Sequence, residues 1–270
     1  MTRLGGRARA AAAVALVLVL AGPVVLLLLG SLHRPGLPPP DGVDVWPSDP
    51  RWQNLRDVGA LVPLGRQLLN SALVVTVAVP ITVLVASLAG FAIVTAGRRT
   101  RWALVVVSLV ALVVPSASLW VPRVVLLDRL GLTDRTVVVA FPALLGTSPF
   151  LVLLFALAYS RIPRSLLEAA RLEGLSAVRT WRTVALPLAR PAAFAVAMLA
   201  FVFHWSNVVE PLLLLSREES WPVALGVRSL STLEPTLYPL FLSGALIATI
   251  PPVVAFSLAQ RALFRGTVGL

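Results

Sequence analysis

Residues 68–96 read LLNSALVVTVAVPITVLVASLAGFAIVTA, a stretch without one charged side chain. As a helix rising about 1.5 Å per residue, it is longer than the roughly 30 Å hydrocarbon core of a bilayer. Lipid favours such a segment, because a chain facing hydrocarbon must satisfy its backbone N–H and C=O groups within itself. Outward from it lie five more apolar stretches: Ala10–Leu32, Trp102–Pro122, Thr136–Ser160, Pro191–Leu215 and Pro235–Gln260. Only the one ending at Leu215 holds a charge, Glu210. The expected fold is all-α, a polytopic membrane protein with six transmembrane helices, residues 1–270 forming a single transmembrane domain.

The first stretch contains thirteen Val and Leu residues, which favour insertion by about 4 to 8 kcal/mol before Gly22 and Pro23 are discounted. Arg3, Arg7 and Arg9 ahead of it resemble the basic start of a secretory signal. A signal's apolar region is shorter, about 7 to 15 residues, so an uncleaved first helix is expected.

Composition removes whole classes of function. Hydrophobic residues make up 58% of the 270 and charged residues 13%, about half the charged share of an ordinary globular domain. All 23 basic residues are arginine, and there is no lysine and no cysteine. A phosphate-cradling loop needs a lysine, Schiff-base chemistry needs a lysine amine, and thiol catalysis or Cys-ligated zinc needs cysteine. The two histidines, His33 and His204, are far apart and form neither a dyad nor a metal site in the sequence. The chain is therefore read as no enzyme, with no metal or other cofactor. The net charge of +11 does not indicate nucleic acid, because the arginines fall between the apolar stretches and not on one folded face.

Their placement gives an orientation. With the N-terminus inside, the cytoplasmic segments hold fourteen arginines against Glu168 and Glu173, while the opposite side holds nine against ten carboxylates. Arginine is retained on the cytoplasmic side of membrane helices, so both termini are expected in the cytoplasm. The external segment His33–Gln67, rich in Pro and Gly and carrying Trp46 and Trp52, is expected along the membrane interface. No internal repeat is evident.

The fourth and fifth stretches are joined by residues 161–190, RIPRSLLEAARLEGLSAVRTWRTVALPLAR. Pro163 suits a first helical position and Gly174 the left-handed residue that ends a helix. Ser176 can cap a second helix. In that helix Val178, Trp181 and Val184 recur every three residues as an apolar face, and Pro187 is expected to end it. Leu166, Ala169 and Ala170 form a small apolar face on the first helix, where another protein's surface could come close to the backbone.

Glu168-Ala169-Ala170, then Gly174, nine residues, Val184 and, one residue on, Leu186-Pro187 resemble the EAA loop of ABC importer permeases. The resemblance implies a coupling helix that inserts into a cleft of a separate ATPase, so Glu168, Ala169, Ala170, Gly174, Leu186 and Pro187 are expected to form the ATPase-coupling loop. The chain is most similar to the carbohydrate-type permeases, of the kind represented by the smaller maltose-system permease. Asn70-Ser71, the run Arg129–Asp134, Arg161–Arg164, and the tail with Gln260-Arg261 and Phe264–Gly266 agree with it. Glu173 and Leu175 stand where the family usually has aspartate and alanine. Trp205-Ser206-Asn207 stands where it often has Trp-Asn and an acid. These departures leave the coupling expectation intact and bear on the solute.

The resemblance implies a type I importer architecture in the bacterial inner membrane. Its partners would be a second homologous permease, an ABC ATPase dimer, an extracytoplasmic solute-binding protein and membrane lipid. The solute would be a sugar or oligosaccharide, or alternatively another small polar molecule. A stand-alone ion-coupled carrier predicts more intramembrane charge and internal symmetry than these stretches hold. Ser206, Asn207 and Glu210 are the candidate pathway residues, offering hydroxyl, amide and carboxylate groups. Glu210 could equally reach the interface or pair with a partner subunit, and the other two could bond neighbouring helices. His204 is read as a packing contact.

Overall fold

The computed structural model describes residues 2–39, 45–145 and 148–267. Among them there is no strand, and the helices run in the order α1 (Thr2–Ser31), α2 (Asn54–Leu61), α3 (Leu64–Thr95), α4 (Arg98–Val113) and α5 (Ala117–Arg129). A 3₁₀ helix, Thr136–Leu145, precedes α6 (Pro149–Ser160) and α7 (Arg164–Leu172). Next come α8 (Ala177–Thr180), a π turn (Trp181–Ala185) and α9 (Leu186–Leu188), followed by α10 (Arg190–Trp205) and α11 (Val209–Leu214). The 3₁₀ turns Glu218–Ser220 and Pro235–Leu237 flank α12 (Val223–Leu230), and α13 (Tyr238–Thr267) closes the chain.

Three helical stretches are long and apolar enough to cross a membrane: Arg9–Ser31, Leu64–Thr95 and Pro235–Leu258. Three more candidates are bent. The third apolar stretch is not one rod, because α4 and α5 meet at 93° across Val114–Ser116, where Pro115 contributes no N–H. The 3₁₀ helix meets α6 at 48°, and Ala177–Leu188 meets α10 at 86°. The fifth stretch differs most from a single span. Its helix stops at Trp205 and restarts at Val209. Asn207 Oδ1 accepts from the Glu210 amide at 3.3 Å, and Pro211 has no N–H to return to the carbonyl of residue 207, so the ladder cannot pass through.

The residues group into two compact units. One comprises the chain up to Arg66 with Gly226–Ile250, the other Gln67–Leu225 with the remaining C-terminal part. In the first, Asn54 Nδ2 donates to the carbonyls of Ser31 at 2.8 Å and His33 at 2.7 Å, satisfying acceptors at the end of α1 that no helical N–H reaches. α2 thereby sits against the end of α1, with Trp46 and Trp52 exposed beside it. In the second unit, one core joins Phe91, Phe155, Tyr159, Trp181 and Val196. Another joins Val74, Leu127, Val139 and Leu214. α3 and α6 pack tightly at Gly90, where a Cβ would stand 2.7 Å from Phe155 Cβ and 2.9 Å from the Ala156 nitrogen.

Much of the helix surface is apolar. Val14, Val17, Val19 and Leu20 of α1, and Val107, Val110 and Val113 of α4, are all more than half exposed. So much contiguous apolar surface is stable against hydrocarbon, not water.

Candidate functional site

The loop between α6 and α10 folds as its local residues dictate. α7 ends in a paired cap. The Gly174 amide donates to the Arg171 carbonyl and the Leu175 amide to the Ala170 carbonyl, each at 3.0 Å. This six-to-one arrangement requires a left-handed residue, supplied by Gly174 at φ +76°. Ser176 Oγ then accepts from the Arg179 amide at 3.3 Å and starts the second helix. Pro187 does not end that helix, which continues to Leu188. Pro187 removes one donor from the ladder, and the helix has a π turn just before it, with the Leu186 amide bonded to the Trp181 carbonyl five residues back.

The buried face runs at a four-residue spacing. Trp181, Ala185 and Ala189 are buried while Val178 is 64% exposed, so the expected three-residue face of Val178, Trp181 and Val184 is replaced by a four-residue one. On α7, Ala170 is buried and Ala169 and Leu166 are exposed, so only one of the two alanines is open to another surface. Leu172, at 90%, is also left bare. Glu168 lines a cavity of about 200 Å³ with Arg101, Arg164 and Arg171. Leu186 and Pro187 are half-buried; Leu186 packs on the core below the loop.

The pathway candidates meet at the break between α10 and α11. Arg123 Nη1 on α5 donates to Glu210 Oε1 at 2.5 Å, and Asn207 Nδ2 donates to Oε2 at 2.8 Å. Glu210 is thus paired within its own chain. Arg123 lies 87 residues from Glu210, so the sequence carries no local signal of the pairing. Ser206 Oγ donates to the Val202 carbonyl at 2.7 Å and stays on its own helix.

Arg123, Asn207 and Glu210 line one side of an open cavity of about 640 Å³, with Trp120, Phe203 and Ser116 among its other walls. Aromatic faces beside a cluster of donors and acceptors can hold a polyhydroxylated molecule, whose C–H faces are apolar and whose hydroxyls need partners. His204 is buried, with Nε2 3.3 Å from Thr82 Oγ1.

The other motifs pin loops. Asn70 Nδ2 donates to the carbonyls of Glu219 at 2.8 Å and Trp221 at 3.0 Å, and Ser71 Oγ accepts from the Val223 amide at 2.8 Å. At the end of α5, Gly131, at φ +65°, repeats the cap seen at Gly174. Its amide bonds the Asp128 carbonyl, and the Leu132 amide bonds that of Leu127. Asp134, at φ +61°, accepts the Ser216 amide on Oδ1 at 2.6 Å.

The chain belongs to the family of binding-protein-dependent transport system inner membrane components, whose pattern matches residues 79–268. Among its relatives, the lactose transport system permease protein LacG of Rhizobium radiobacter is 28% identical over 74% of this chain and 72% of its own length. The arabinooligosaccharides transport system permease protein AraQ of Bacillus subtilis is 27% identical over 92% of this chain and 89% of its own. The fold is shared with a crystal structure of a bacterial ABC transporter involved in the import of the acidic polysaccharide alginate. The TM-score is 0.69 and the identity 19%, over 96% of both chains.

Proposed function

We propose that this chain is the permease subunit of an ATP-binding-cassette importer, a multi-pass protein of the bacterial inner membrane with both termini in the cytoplasm. Its six spans form one permease domain that contributes half of the pathway for a sugar or oligosaccharide. A second, homologous permease supplies the other half, two copies of an ATPase dock beneath, and an extracytoplasmic binding protein delivers the solute. ATP hydrolysis resides on the ATPase.

The observation that carries this reading is the loop Arg161–Arg190. Its capped helix α7 keeps Leu166, Ala169 and Leu172 bare on the surface, and its second helix is anchored in the core through Trp181. A segment exposed on one face and rooted on the other can receive a push from a partner and pass it inward. The sugar reading draws on the lactose and arabinooligosaccharide relatives and on the aromatic and polar walls of the larger cavity.

In outline, ATP closes the ATPase dimer, the loop moves with the cleft that holds it, and the bent helices around the cavity reorient. The test is to tag the chain in its native host, solubilise it gently and identify the copurifying proteins by mass spectrometry. An ATPase, a second permease and a binding protein are expected. Reproducible recovery of the chain alone, with uptake needing no ATPase, would favour a stand-alone carrier.

A further inference from the structure

We propose that Trp181, Ser87 and Tyr159 form the joint through which the loop moves the membrane helices, so that Trp181 and Ser87 are positioning residues for transport and not merely core. The proposal rests on the coupling reading above and says where the push enters the bundle. Trp181 Nε1 donates to Ser87 Oγ at 2.8 Å, and Ser87 Oγ lies 2.6 Å from Tyr159 Oη. Three elements meet there: the second loop helix, α3 and α6.

Chemistry fixes part of the polarity. An indole N–H can only donate, so Ser87 accepts from Trp181, and its remaining hydrogen-bonding capacity joins it to Tyr159 in either direction. All three side chains are buried. Water cannot substitute for a lost partner there, and bonds in such a network reinforce one another.

The surroundings make the joint stiff on the membrane side and movable on the loop side. The Tyr159 ring stacks on Phe155 and meets Phe91 edge-on, both at 5.7 Å. One turn along α3, Gly90 lets the α6 backbone approach too closely for any side chain to intervene. α3 and α6 are thereby gripped as a pair. On the loop side, Trp181 opens the π turn, and α7, one short connection upstream, has its outer face bare. The indole–hydroxyl bond is the directional contact by which a displacement of the loop reaches α3 and α6, beside the apolar packing of Ala185, Ala189 and Leu186 on the same core.

The absence of cysteine from the chain makes the joint testable without knowing the solute. In the intact complex with its ATPase, Ser116→Cys places a single thiol in the wall of the larger cavity, and its reaction with a water-soluble thiol reagent is timed with and without ATP, Mg²⁺ and vanadate. The otherwise unaltered chain should show a nucleotide-dependent labelling rate. Adding Trp181→Phe, which keeps an aromatic ring but lacks the donor, or separately Ser87→Ala, which removes the acceptor, should abolish that dependence while the ATPase still copurifies and hydrolyses ATP.

Persistence of the dependence in both variants would overturn the joint while leaving the coupling reading in place. Failure of both variants to assemble would also overturn it, assigning the residues to folding. If the ATPase copurifies but the Ser116→Cys chain itself shows no nucleotide dependence, the coupling reading fails first and the joint with it.

Discussion

Arg123 on α5 and Glu210 at the start of α11 are joined at 2.5 Å, each on the segment that follows a helix break bordering the larger cavity. The pair fastens one bent segment to the other. Removing Glu210 alone leaves a largely buried guanidinium without its counter-ion, a change that costs roughly 3 kcal/mol in comparable sites. Glu210→Ala should therefore lower the thermal midpoint of the detergent-solubilised protein clearly. The double change Arg123→Met with Glu210→Leu should recover most of the loss. Equal midpoints for Glu210→Ala and the unaltered chain would show that the pair does not hold the break together.

Gly174 separates strain from docking. Its φ of +76° penalises any L-residue with a Cβ by about 1 to 2 kcal/mol, yet nothing within this chain lies within 4 Å of that Cβ. Gly174→Asn, which tolerates the left-handed region, should insert and assemble. A bulky replacement such as Gly174→Trp, which adds size on the side of the turn where a Cβ meets nothing in this chain, should insert normally but abolish ATP-driven uptake. Membrane yield and uptake in the same cells distinguish the two.

Gly90 makes the opposite prediction. Its environment is occupied, with the Ala156 nitrogen 2.9 Å and the Val152 oxygen 3.0 Å from an added Cβ, and backbone cannot give way as a flexible side chain can. Gly90→Ala should destabilise by about 1 to 3 kcal/mol. Gly65→Ala in the same helix, where nothing lies within 4 Å, should be neutral or slightly stabilising. Thermal midpoints measured side by side decide it.

Asn70 should govern the loop after α11. Its amide nitrogen serves two carbonyls, those of Glu219 and Trp221, and Asn70→Ala should cost about 0.5 to 1.5 kcal/mol of local stability. The expected readout is faster proteolysis between Leu215 and Val223, with α3 remaining protected.

What could be read ahead of the structure followed from local rules. Hydropathy located the apolar stretches, Gly174 announced the end of α7, and Ser176 the start of the next helix, because caps depend on neighbours a few residues away. Where a signal required distant or cumulative geometry it was missed. The partner of Glu210 lies 87 residues upstream. The break at Ser206–Val208 follows from Asn207 and Pro211 acting together. The buried face of the second loop helix runs through Trp181, Ala185 and Ala189 at four-residue spacing, whereas the reading took a three-residue spacing from Val178, and apolar character alone did not tell the two apart.

The central claim, that the loop Arg161–Arg190 docks onto an ATPase, is tested most directly at Leu172, whose side chain is 90% exposed. A photo-crosslinking amino acid placed there in the native host should, on illumination, attach the chain to a protein that mass spectrometry identifies as a nucleotide-binding ATPase. Cross-links only to lipid, or none in a complex that still transports, would contradict the account.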